Sequence, residues 1–265
     1  MGGAGPLPRP IHRRSLNNRL RPSPRRPRMP QRRRSVASFS SSSQGYSAFS
    51  ERKLREGIAR QIQTIEEYGL DDANAYDAVF YLESFYRKHG YSQAEVTSNV
   101  LGPWRLRLTV DEGPLTRVGA ITFIGNHAYD NVALTNYLLG PTRERYPRIR
   151  KDLLLPFIES DVFSGVDLIR RLYAAEGYLN SRVDPPAFTL NSDGTSAAIS
   201  LKIDEGIQFH FGDIQLEGPL VFPRETLLAE IAQETKNIYT EPRLASAQRK
   251  LEDFYKKRGY FTADR

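Results

Sequence analysis

The stretch "YLESFYRKHGYSQAEV" (residues 81–96) returns twice in altered spelling, as "LIRRLYAAEGYLNSRV" (residues 168–183) and "LEDFYKKRGYFTADR" (residues 251–265). In each version an aliphatic residue (Leu82, Ile169, Leu251) is followed three and four places later by an apolar residue and a tyrosine. These are Phe85 and Tyr86, Leu172 and Tyr173, Phe254 and Tyr255. The i, i+3, i+4 spacing sets them on one face of a helix. Gly90, Gly177 and Gly259 follow where a helix stops, a place that calls for a left-handed residue, which glycine adopts without a Cβ clash. The chain then turns into a strand.

Working outward, a second phrase recurs: "VDEGPLTRVGAITFIGN" from Val110 matches "IDEGIQFHFGDIQLEGP" from Ile203, and Gly113, Gly119 and Gly125 reappear 93 residues on as Gly206, Gly212 and Gly218. That period is too long for a short solenoid repeat of about 20 to 50 residues and fits tandem copies of a small domain. The complete copy reads in order as a strand "VGAITFIG", with Val118, Ala120 or Ile121, and Phe123 alternating, then a short helix opening at Asp130 and stopping at Gly140-Pro141. The partly helical "KDLLLPFIESDVFSG" and a helix over about Val166 to Glu176 come next. Two strands, "YLNSRVDPPAFTL" and "SAAISLKIDEG", finish it, joined at "NSDGTS", where Asp-Gly suits a two-residue hairpin. The first copy ends in the same hairpin, with Trp104, Leu106, Leu108 and Val110 alternating toward a core.

The fold expected is α+β: tandem βααββ domains, each a three-stranded sheet covered by two helices. The boundaries read as a disordered Arg/Pro/Ser-rich tail over residues 1–44, a first domain over 45–113, a second over 114–206, and a third over 207–265 that has its first strand and two helices but not the final hairpin. A sheet cannot close with one strand, so the chain is expected to be a fragment or a truncated gene model of something longer. In the first domain the alignment sets Ser41 and Ser43 where Ile121 and Phe123, or Ile214 and Leu216, point inward, so its first strand reads as degenerate.

Charge divides the molecule. The net +7 comes from residues 1–50, which hold eleven arginines and no acid; the remainder holds 27 bases against 31 acids, about −4. Nucleic-acid binding through the fold needs a basic surplus on the fold, and the surplus here is in the tail. The tail lacks the apolar region of about 7 to 15 residues of a secretory signal. Three origins compete for it, a transit peptide, a nucleic-acid-binding arm and a wrongly placed start, and the serine run in place of core residues favours the third. The chain has no cysteine and no run of about 18 apolar residues of the kind a spanning helix needs.

Sharper chemistry has little support. The aromatics before each Gly-Tyr have core spacing rather than that of a base-stacking platform. The repeated glycines follow helices instead of opening them, unlike a phosphate cradle. His12, His89, His127 and His210 are scattered without ligand spacing, so no metal site is expected. Asp111-Glu112 and Asp204-Glu205 read as strand-exit and interdomain contacts, because a catalytic pair would need a third converging group. No catalytic residue and no cofactor are expected. The alternative class is an RNA- or DNA-binding protein acting through its Arg-rich tail.

Three "FYxxxGY"-type helix ends interlocked with two "VDEG…VGxIxFxGN"-type junctions resemble POTRA (polypeptide-transport-associated) domains, and the resemblance covers Gly45 to Arg265. It implies a non-catalytic periplasmic module, on the inner side of the outer membrane, for unfolded outer-membrane β-barrel proteins and accessory assembly subunits. It also implies a C-terminal barrel of its own in the full-length protein, and no nucleic-acid partner. In such domains the strand after the second helix lies at a sheet edge, where an extended peptide can add itself. In the first copy that strand, Gln93, Ala94, Glu95, Val96, Thr97, Ser98, Asn99 and Val100, contains no proline, whereas its counterpart carries Pro185-Pro186. Residues 93–100 are therefore the candidate peptide-binding edge.

Overall fold

A computed structural model describes residues 36–41, 48–149 and 154–260. The expectation of a disordered tail falls, for residues 1–35, outside the described residues.

The first copy runs β1 (Ala37–Ser41), α1 (Glu51–Gly57), α2 (Ala59–Tyr68), α3 (Asp72–Arg87), β2 (Glu95–Gly102) and β3 (Arg105–Asp111). Its sheet has the order β1-β3-β2, with β1 parallel and β2 antiparallel to β3. The first helical region is thus two helices, which meet at Gly57 and Ile58. α3 opens at Asp71, whose side chain accepts the Asn74 amide, and it buries the stripe Ala75, Ala78, Leu82 and Tyr86.

β1 corrects two expectations, the tail's end at residue 44 and the placing of Ser41 and Ser43 as the strand's core positions. Ala37 pairs with Leu106 and Phe39 with Leu108, as Ile121 pairs with Ile199 and Phe123 with Leu201 in the second copy. Ala37 and Phe39 therefore hold the places given to Ser41 and Ser43. The strand lies four residues earlier because more residues separate it from the first helix than in the second copy, and a few extra residues in a connection cost little.

The second copy runs β4 (Arg117–Ile124), α4 (Asn131–Leu138), α5 (Gly140–Arg145), α6 (Glu159–Ala175), β5 (Arg182–Val183), β6 (Ala187–Leu190) and β7 (Ser196–Asp204). β7 is central, parallel to β4 and antiparallel to β5 and β6. Asp130 caps α4 through the Ala133 amide, but the helical path does not stop at Gly140: it continues into α5 with Pro141 in its first turn, where a missing N–H costs nothing. The hairpin turn is not a two-residue one either. Leu190 and Ala197 are the last ladder pair, and Asn191 Oδ1 and Asp193 Oδ1 accept the Ser196 and Thr195 amides to shape a wider loop. Leu134, Leu138, Val162, Val166, Ile169 and Tyr173 pack on Ala197, Ile199, Leu201 and Ile203 to form the core.

The recurring phrase is one local device used three times. Gly90, Gly177 and Gly259 have φ of 91°, 81° and 90°. The amides of Tyr91, Tyr178 and Tyr260 donate to the carbonyls of Tyr86, Tyr173 and Tyr255, and the glycine amides donate to those of Arg87, Ala174 and Lys256, which is a Schellman stop. The two tyrosines of each set meet edge to face at 5.8, 5.6 and 6.0 Å. This supplies the apolar contact that such stops use and explains why Gly is followed by Tyr.

The third copy contains α7 (Arg224–Thr235) and α8 (Glu241–Lys256). Its expected first strand is absent among the described residues, which show only an isolated bridge between His210 and Ile238. In the other copies the first strand lies against the last one, β3 or β7, and no described residue after α8 supplies such a partner. An alternating pattern without a ladder stays irregular.

Candidate functional site

Among the described residues β2 pairs only with β3 and forms an edge of its sheet. Of its eight residues only Val96 is buried; Glu95, Thr97, Ser98, Asn99 and Val100 are exposed. Antiparallel pairing alternates residues that bond to the partner with residues whose N–H and C=O point away. The Val96 amide donates to Glu83 Oε1 at 3.2 Å rather than to β3. Val96, Ser98 and Val100 are therefore the outward-facing set, and the register shift between Val100 and Gly102 ends it. At that end the Leu70 amide donates to the Pro103 carbonyl at 2.8 Å, which fastens the hairpin tip to the α2–α3 loop.

Two of the eight expected edge residues lie elsewhere. Ala94 closes a turn onto the Tyr91 carbonyl, and the Gln93 side chain rests against Gly194 of the second copy. The edge is displaced to Glu95–Gly102, because the Schellman stop and its following turn consume the first residues after the helix. Sequence reasoning also missed Glu83 on α3, which reaches the Val96 amide, and Tyr76 and Phe80 on the same helix. Tyr76 and Phe80 are large, exposed and off the core stripe, a departure from helical amphipathicity that could have been read.

The edges of the second sheet are partly occupied. Outside β4, the Val118 amide donates to the Leu155 carbonyl and the Phe157 amide to the Thr116 carbonyl. In the second sheet Pro185 and Pro186 separate β5 from β6, Arg170 Nη2 donates to the Val183 carbonyl at 2.7 Å, and Phe188 packs against Phe157 and Phe163.

The repeated Asp-Glu pairs have structural employment within each copy, which corrects their reading as interdomain contacts. Tyr86 Oη donates to Glu112 at 2.8 Å, and Glu112 also accepts the Ala48 amide. Tyr173 Oη donates to Glu205 at 2.7 Å, and Glu205 also accepts the His127 and Ala128 amides. Asp111 and Asp204 accept the amides of Gly113 and Gly206, turning the chain at each strand exit. Burial pushes the Glu205 carboxyl up, but the hydrogen bonds from Tyr173 and the two amides outweigh it and hold the group below the usual carboxylate range. Burial, then the Glu205 bond, push the Tyr173 phenol well above its ordinary value.

The sequence matches the POTRA family (Surface antigen variable number repeat) over residues 116–206 and again over 209–264, more than half of the chain. The chain belongs to the POTRA family. A Treponema pallidum (strain Nichols) relative, named as an outer membrane protein assembly factor, is 26% identical to this POTRA chain over 192 residues. That alignment takes in 68% of the chain and 22% of the relative. Outer membrane protein assembly factor BamA of Neisseria meningitidis serogroup B is 26% identical over 166 residues, 59% of the chain and 21% of that protein. The POTRA chain thus spans about a fifth of the length of these curated relatives. Among solved structures, POTRA domains 3–5 of Haemophilus influenzae BamA give a TM-score of 0.40 at 19% identity, covering 86% of this chain and 87% of that one.

Proposed function

We propose that this chain is a non-catalytic periplasmic module of outer-membrane protein assembly that receives unfolded β-barrel proteins, or accessory subunits, by strand addition at β2. The observation that carries the reading is the exposed, proline-free edge with its outward backbone groups at Val96, Ser98 and Val100. Main-chain pairing gives affinity that tolerates many sequences, which suits barrel precursors whose strands alternate apolar and polar residues. The relatives' names as assembly factors support the compartment and the process.

A proline at Ser98 removes an outward donor while leaving the bonds to β3 in place. Folded Ser98→Pro should lose at least about tenfold in affinity for an extended strand peptide, a loss on the scale of one or two main-chain hydrogen bonds. Equal binding by parent and variant would move the partner surface away from this edge.

A further inference from the structure

The outward amide of Val96 is already occupied. Its partner, Glu83 Oε1, comes from α3 in the same copy, and Glu83 Oε2 accepts from Arg87 Nη2 at 3.0 Å, one helical turn on. The Glu83 side chain is about one-fifth exposed. Ser98 and Val100, the other outward residues, are exposed strand positions beyond this contact. A carboxylate on an edge N–H is the bond that the carbonyl of an added strand would make, so Glu83 stands where a guest's first carbonyl must go.

The helix flank beside it indicates the side chains a guest should carry. Tyr76 precedes Glu83 by seven residues, close to two turns and roughly 10 Å along α3, on the same side of the helix. β2 runs back along α3 after the Gly90 stop, and three strand residues also span about 10 Å. Tyr76, 70% exposed, with Phe80, 48% exposed, therefore flanks the Ser98–Val100 half of the edge, while Glu83 flanks the Val96 end.

Resting on the proposed strand addition, we infer that Glu83 is an intramolecular placeholder for the guest backbone. An incoming strand displaces the carboxylate from the Val96 amide and sets its own carbonyl there, with alternate apolar side chains against Tyr76 and Phe80. Glu83 then positions the register and weakens binding by competing for one donor. The displaced carboxylate stays paired with Arg87, so its release leaves no charge stranded.

The test uses the full chain and a fluorescein-labelled ten-residue peptide of alternating valine and threonine with terminal lysines. Glu83→Ala should bind it about fivefold tighter, the yield of one competing hydrogen bond removed, with Glu83→Gln between that variant and the parent. In the free protein, hydrogen exchange at the Val96 amide should quicken in Glu83→Ala and slow again when peptide is added. Glu83→Ala binding no tighter than the parent, while Ser98→Pro still weakens binding at least about tenfold, would overturn the placeholder and leave strand addition standing. Undiminished binding by folded Ser98→Pro would overturn both.

Discussion

The two complete copies share a fold and differ at one edge. In the first, β2 runs eight residues without a proline and meets solvent along most of its length. In the second, the equivalent strand is split into β5 and β6 by Pro185 and Pro186, its Val183 carbonyl is taken by Arg170, and Phe188 is packed under two other phenylalanines. The inner staple differs in the same sense: Glu205 is 9% exposed and accepts Tyr173 and two amides, whereas Glu112 is only half-buried. One scaffold is thus tuned for closure in one copy and for access in the other, by a few side chains at the sheet margin. The proposed strand addition would depend on those margins and not on the fold alone.

The largest effect that would break this comparison is on stability. Glu205→Ala leaves the Tyr173 hydroxyl and the His127 and Ala128 amides short of an acceptor and should cost about 2–4 kcal/mol, with Glu112→Ala costing about half as much. Denaturant melts of the two variants check the ranking, and equal costs would mean that the copies are equally closed. Next comes opening the second edge. Replacing Pro185 and Pro186 by threonine restores ladder donors, and calorimetric titration with the strand peptide should show stoichiometry rising from one toward two.

A smaller effect is expected from pH. Because the folded Glu205 carboxyl lies below its ordinary value, the stability it contributes is present above about pH 4.3, the unfolded glutamate range, and is lost as pH falls through the folded value. Acid melts of the parent should show that loss, and Glu205→Gln should flatten it. The smallest change should come from Tyr76→Ser, which trims one apolar contact beside β2 and should weaken the strand peptide by roughly threefold, since about 25 cal/mol is at stake per Å² of apolar area. The same substitution should leave any peptide binding at an opened second edge untouched.

Much of the candidate edge's setting was legible in residues 81–96, but not its register. The helix stripe through Leu82 and Tyr86, the left-handed Gly90 and the strand beyond it follow from spacing, and so does the absence of proline that singled out this edge. The start of the edge was misplaced by two residues, because the turn at Ala94 depends on a hydrogen bond to Tyr91 that pattern alone does not specify. The first strand was misplaced by four because a serine-rich sequence gives no periodic signal. Ala37 and Phe39 are recognisable only by their pairing with Leu106 and Leu108.

The amino-acid sequence by itself determined the three helix stops, the tandem α+β repeat and the alternation of the hairpin strands, since each depends on contacts within about four residues or on a two-residue period. Only the tertiary structure decided which backbone groups of β2 face outward, that Glu83 takes the first of them, and that Glu112 and Glu205 staple helix to strand exit within a copy. Those outcomes join residues 13 to 32 positions apart. Contacts at that distance depend on strand register and on how a helix lies across a sheet, and side-chain spacing along the chain constrains neither.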